Sequence, residues 1–155
     1  MNGNHVAQSD DASKTECFLY LIASSAPLPA HINAEATICK IGISADPDAR
    51  LCSLQTSNPF PLEIDAEWHF PNRNMAMILE RVAHKALELY RVRGEWFAVD
   101  LSLARYVILD CWCVEAVNRG FMSPRQLVSD LIKRGYGEDY ALDAVISNFG
   151  AESLQ

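Results

Sequence analysis

Lys40, Gly42 and Arg50 lie within the single segment 40–50, and their types suit the binding of a phosphate group. A lysine presents a point charge to phosphate oxygens, and an arginine presents a planar fork of donors. A glycine leaves room beside the backbone where another residue would place a side chain. Residues of these types at this spacing are typical of a site that holds a phosphate.

Local structure is expected to bring these three residues together, because a strand runs directly into a helix. The β-branched isoleucines of the segment predict a half-buried strand over 37–43. Asp46 followed by Pro47 predicts a helix start, since an N-cap acceptor precedes a residue whose φ is already helical. The lysine and the glycine then share one strand face, and the arginine follows one helical turn after the proline.

The composition indicates a globular protein and excludes a globally basic coat for nucleic acid. The 155 residues are 50% hydrophobic and 21% charged, with a net charge of −7. This length predicts one domain with a real core and at most a small appendage. Seven of the 13 basic residues lie in the middle segment 16–97, so a local basic patch is compatible with the acidic total.

Cysteine usage and hydropathy indicate a cytoplasmic protein. The five cysteines are odd in number and show no CxxC spacing, which is typical of reduced thiols. The polar segment 1–16 lacks the apolar run of a signal peptide, and we expect it to be a disordered lead-in. Apolar runs elsewhere stay below the ~20 residues that span a bilayer, so no membrane partner is expected.

The hydrophobic periodicity predicts an α+β fold in which a small antiparallel sheet is covered by helices and followed by a helical tail. The predicted strands are 17–23, 37–43 and 62–70, with a short extended piece over 95–99. The predicted helices are 46–56, 75–90, 101–118, one between Ser123 and Gly135, and 138–148. Residues 62–70 alternate regularly, with Leu62, Ile64, Ala66, Trp68 and Phe70 expected on one face.

Five blocks in order along the chain resemble the GIY-YIG endonuclease superfamily, in particular its phage-associated meiotically up-regulated gene 113 branch. They are 18–22, 39–43, 46–51 with 54–59, 79–81 with His84, and 90–97. The resemblance implies a three-stranded antiparallel sheet flanked by helices. It also divides the chain into the lead-in 1–16, a nuclease domain 17–100 and a helical extension 101–155 that packs on it or is appended to it.

The same resemblance implies an endonuclease that hydrolyses phosphodiester bonds in DNA with one divalent metal ion, Mg²⁺ or Mn²⁺. By position, Tyr20 matches the proposed base or base-assisting hydroxyl, and Arg50 matches the arginine that holds the scissile phosphate. Glu80 matches the metal ligand. The other candidates are Lys40 and His84 for catalysis and, beside Lys40 and Arg50, Arg91 and Arg93 for contact with DNA.

Each candidate also has an ordinary structural interpretation. A tyrosine on an apolar strand is usually a core residue, and Arg50 alone would be a solvated helix residue. Glu80 and His84 lie four residues apart, where a helix-surface pair contributes only ~0.2–0.5 kcal/mol.

Two positions depart from the superfamily motifs and leave two alternatives open. The second motif reads Lys40-Ile41-Gly42, with lysine in place of tyrosine, and the first reads Phe18-Leu19-Tyr20, without a glycine. A lysine acts as a base only where burial or a neighbouring cation lowers its pKa. The alternatives are a nucleic-acid-binding module without catalysis, and an interaction protein whose C-terminal helices bind a protein partner.

Overall fold

The computed structural model describes residues 15–155, which contain five strands and five α-helices in an α+β fold. The strands are β1 Cys17–Ser24, β2 Thr37–Ser44, β3 Leu62–Phe70, β4 Arg91–Arg93 and β5 Trp96–Val99. The helices are α1 Pro47–Gln55, α2 Arg73–Ala86, α3 Leu101–Asn118, α4 Pro124–Lys133 and α5 Glu138–Phe149. A short 3₁₀ helix follows α2 at Glu88–Tyr90, and another follows α5 at Ala151–Leu154. Residues 1–14 of the predicted lead-in lie outside this description.

The sheet has five antiparallel strands in the order β3-β1-β2-β5-β4, so the predicted three-stranded sheet is wrong. The extended piece predicted over 95–99 forms β5, and β4 begins directly after the segment 87–90, which was predicted to be the end of the helix 75–90. That helix ends at Ala86, and Leu89, expected on its apolar stripe, is 96% exposed. Gly94 then takes a φ of +55°, which glycine adopts readily, and reverses the chain from β4 into β5.

A bulge in β3 divides its apolar residues between the two faces of the sheet. Ala66 lies opposite Leu21 whereas Ile64 lies opposite Ile22, so Asp65 is the extra residue. Directly opposed residues share a face. The regular alternation therefore holds from residue 66 to residue 70 only, and the prediction of one continuous apolar face is wrong.

One hydrophobic core lies on the face of the sheet that carries Leu19, Leu21 and Ile41, and it continues through α2 and α3 into α4 and α5. Leu131 of α4 and Val145 of α5 are fully buried in this same core. Two indole groups tie the C-terminal helices to the rest. The Trp112 Nε1 donates to Asp130 at 3.1 Å, and the Trp68 Nε1 donates to the Tyr136 hydroxyl at 3.2 Å. A domain boundary at residue 100 stays a prediction, but the core is shared across it.

All five cysteines are free, and burial raises the pKa of Cys39 to about 12. Every helix over residues 15–155 falls short of the length and apolar character needed to cross a membrane.

Leu131→Ala tests whether the C-terminal helices stabilise the whole fold. We expect it to lower the free energy of unfolding by about 2–4 kcal/mol, because the truncation leaves a cavity in the shared core. Urea denaturation should still give a single transition. The neighbouring Ile132→Ala is the control, since Ile132 is 43% exposed, and its cost should stay below about 1 kcal/mol. Equal effects of the two substitutions would contradict the shared core.

Candidate functional site

Tyr20 and Gly42 face each other across β1 and β2 and form the base of the site. They are directly paired in the antiparallel register, and Tyr20 is only 1% exposed. A Cβ atom added at residue 42 would lie 2.6 Å from Cζ of Tyr20, closer than real Cβ contacts allow. Gly42 is therefore needed to admit the tyrosine ring, and the room beside this glycine is filled by protein.

Arg50 reaches the Tyr20 hydroxyl from α1. The helix begins where the sequence predicts, because the Asp46 carboxylate accepts a hydrogen bond from the Ala49 N–H at 3.0 Å and Pro47 occupies the first turn. The Arg50 side chain is exposed, and its guanidinium is close enough to the Tyr20 hydroxyl to influence its ionisation. Burial raises the pKa of Tyr20, and Arg50 opposes that rise. At neutral pH the phenol is protonated.

Lys40 lies on the same face of the sheet as Tyr20, but its charge is already compensated. It is paired with Ile22 of β1 in the antiparallel register and is only 6% exposed. Its ammonium forms an ion pair with the Glu95 carboxylate and lies 5.8 Å from the centre of the Trp96 ring. Lys40 is thus not an open anion site in this conformation.

Glu80 and His84 lie one turn apart on α2 and line a cleft of about 450 Å³. The β4–β5 hairpin supplies Arg91 and Glu95 to the opposite wall. Among the described residues, Tyr20, Lys40 and Arg50 are not part of this lining. The structure thus places the predicted residues in two adjoining groups, a buried one around Tyr20 and an open one around Glu80.

Charge couples the two groups. Burial raises the pKa of Glu80, and the neighbouring Glu95 carboxylate raises it further, while Lys40 and Arg73 oppose the rise. The Glu80 and Glu95 carboxylates also raise the pKa of Tyr20. An ionised Glu80 is therefore held in an environment that favours an added positive charge.

His84 is a neutral imidazole, and within residues 15–155 its Nδ1 has no hydrogen-bond partner. Burial lowers its pKa, and its Nε2 lies 2.8 Å from the Ile41 carbonyl oxygen. A carbonyl can only accept, so Nε2 carries the proton and Nδ1 keeps its lone pair. A neutral histidine with a free nitrogen next to a cleft is suited to accept a proton.

The two arginines predicted to contact DNA differ in their surroundings. The Arg91 Nε donates to Glu88 at 2.8 Å, and the guanidinium also donates to the Gly94 carbonyl and lies 5.0 Å from the centre of the Phe97 ring. Arg91 thus stabilises the β4–β5 hairpin. Arg93 is exposed on the edge strand.

Glu95 is a site residue that sequence reasoning missed. It lies in one of the five blocks, but its importance depends on the pairing of β5 with β2, which places Trp96 opposite Lys40. The signal available in the sequence was a lone carboxylate next to a turn glycine, and such residues are usually solvated.

Taken together, fold and site define an α+β domain in which a buried tyrosine and an exposed arginine adjoin an open cleft that Glu80, Glu95 and a neutral His84 line. A sequence model of the T5orf172 domain matches residues 18–113, more than half of the chain, and the chain belongs to this phage-associated family. No curated protein and no solved structure gives a significant match.

Gly42→Ala tests the contact at the base of the site. The new methyl group would overlap the Tyr20 ring, so we expect the free energy of unfolding to fall by about 1–3 kcal/mol. Gly137→Ala is the matched control, because its φ is −65° and no atom lies within 4 Å of an added Cβ. Its effect should stay within about 0.5 kcal/mol in the same urea titration. A harmless Gly42→Ala would contradict the packing described here.

Glu80→Gln tests the electrostatic strain in the cleft. A carboxyl whose folded-state pKa is raised contributes stability that is fully present below about pH 4.5 and is lost as the pH rises through the folded pKa. The neutral glutamine should therefore stabilise the protein at pH 7, by up to about 1 kcal/mol, and this gain should shrink towards pH 4. Melting curves across this range measure it, with the exposed Glu63→Gln as control. A less stable Glu80→Gln variant at pH 7 would refute this assignment.

Proposed function

We propose that this protein is a metal-dependent endonuclease of the GIY-YIG type that hydrolyses phosphodiester bonds in DNA. The observation that carries the proposal is the placement of three predicted site residues on neighbouring elements. Tyr20 of β1 is buried against Gly42, Arg50 is exposed on the helix that follows β2, and Glu80 of α2 lines the cleft that Glu95 also lines. The five ordered sequence blocks support it. So does membership of the T5orf172 family, since this domain is often related to GIY-YIG and HNH-like nucleases.

Each side chain in the site has a role in this proposal. Arg50, exposed on α1, holds the non-bridging oxygens of the scissile phosphate through charge-assisted hydrogen bonds. Tyr20 is a protonated phenol at neutral pH, since burial raises its pKa above the ordinary value, and it assists by hydrogen bonding. His84, neutral and with Nδ1 free, is the better proton acceptor for the attacking water.

Glu80 is the residue proposed to hold a divalent cation. It fits, because its ionised carboxylate is disfavoured by burial and by Glu95, and a cation would relieve both effects. Over residues 15–155, no cluster of three or more histidine, cysteine, aspartate or glutamate side chains is arranged for metal binding. A hydrated Mg²⁺, which keeps several waters and needs only one or two carboxylates, matches this donor set. When bound, the ion supplies positive charge for the phosphate and the leaving oxygen.

The proposal predicts nicking of supercoiled plasmid DNA in the presence of Mg²⁺ or Mn²⁺. Arg50→Ala and Glu80→Gln should each lower the nicking rate by about 10²–10³, because each removes charge stabilisation at the phosphate. Lys133→Ala and Glu138→Gln make the same charge changes on α4 and α5, outside the family match, and should leave the rate unchanged.

A lack of cleavage by the wild type on supercoiled, linear and branched DNA with both metals would contradict the nuclease proposal. The second candidate would then be a nucleic-acid-binding module without catalysis. The ion pair of Lys40 with Glu95, at the position where the superfamily motif has a tyrosine, favours this alternative. Binding that weakens with salt but survives Glu80→Gln would support it. A protein partner for residues 101–155 stays a prediction.

A further inference from the structure

Glu95 is held at a fixed place beside β2. It lies at the turn between β4 and β5, and its carbonyl accepts a hydrogen bond from the Ile41 N–H at 3.3 Å. The next residue, Trp96, is paired with Lys40 in the sheet. The backbone thus fixes Glu95 where its carboxylate can reach the Lys40 ammonium.

The ion pair between Lys40 and Glu95 is asymmetric. The Lys40 side chain is 7% exposed, whereas that of Glu95 is 46% exposed. Water or a solute can approach the carboxylate without entry into the core. The Trp96 ring, 5.8 Å from the ammonium, would keep its cation–π contact if the carboxylate moved away.

The surroundings of Glu95 also favour an exchange. The Glu95 carboxylate lines the same cleft as Glu80 and raises the pKa of Glu80, whereas Lys40 lowers it. The two carboxylates therefore compete for the positive charge of Lys40. A phosphate oxygen accepts the same hydrogen bond from an ammonium as a carboxylate oxygen does. Arg50, on the helix that directly follows β2, offers an exposed guanidinium for a second contact with the same DNA backbone.

We propose that Glu95 determines the affinity for substrate by occupying Lys40, and that a backbone phosphate of DNA replaces the Glu95 carboxylate there. The inference rests on the proposed function only for the choice of DNA as the ligand. It follows that the phosphate must displace an internal anion. A chain of phosphates that also engages Arg50 does this more readily than an isolated anion.

A double-mutant cycle tests this assignment. Wild type, Glu95→Gln, Lys40→Met and the double variant are titrated as full chains against fluorescein-labelled duplex DNA, by anisotropy, in EDTA and over a series of salt concentrations. Glu95→Gln should bind on the order of three- to tenfold tighter at low salt, with a salt slope steeper by about one. In the Lys40→Met background, the same substitution should have no such effect.

Glu67→Gln is the charge-matched control, because Glu67 is exposed and lies opposite Tyr20 on the same face of the sheet. Thermal melting confirms that each variant is folded, and Glu95→Ala takes the place of Glu95→Gln if the latter melts below the assay temperature. Equal tightening by Glu67→Gln, tightening that persists with Lys40→Met, or no tighter binding by the folded Glu95 variant would overturn the assignment. Loss of cleavage in Mg²⁺ with this binding pattern intact would overturn the nuclease proposal alone.

Discussion

The contact between the Tyr20 ring and the backbone of Gly42 is the constraint on which the site depends. It needs β1 and β2 in one register, because a shift by a single residue would turn the tyrosine to the other face of the sheet. With that register, Lys40 comes to the same face, and α1, which follows β2 almost directly, can bring Arg50 to the phenol. A buried aromatic contact thus positions an exposed guanidinium.

The charged side chains of the site interact with one another, and some of these interactions are unfavourable. Burial and the Glu95 carboxylate disfavour the ionised form of Glu80, and Lys40 and Arg73 offset this only partly. Two neighbouring carboxylates destabilise the protein without a ligand. A bound cation, or a change in the ion pair of Lys40, would remove this cost. Proteins tend to keep perturbed groups of this kind where they serve a function.

Local signals in the sequence predicted much of the fold and the first half of the site. The start of α1 at Asp46-Pro47 and the bounds of β3 and α3 depend on capping residues and periodicity, which act over a few residues. The extended piece over 95–99 was predicted, but its pairing with β4 was not, because Leu89 and Val92 are spaced as on a helical stripe and the helix was expected to reach residue 90. The bulge at Asp65 was not predicted either, because it depends on how β3 pairs with β1, which the sequence of β3 alone does not show.

The limits of the site prediction have the same origin. Tyr20 and Arg50 were found together because motif and strand–helix order fix their relation. The partner of Lys40 comes from a residue 55 positions further along the chain, and only the pairing of β5 with β2 reveals it. The free nitrogen of His84 likewise depends on a carbonyl of β2 that no sequence pattern identifies.

The shared core has a consequence for how such domains are combined in longer chains. The family match ends at residue 113, inside α3, whereas the core closes only with Leu131 and Val145 of the following helices. The unit that sequence similarity recognises is therefore smaller than the unit that excludes water. A fusion protein that contained only residues 18–113 would leave the apolar side of this domain uncovered. The protein fused to it would have to supply apolar residues in place of those of α4 and α5.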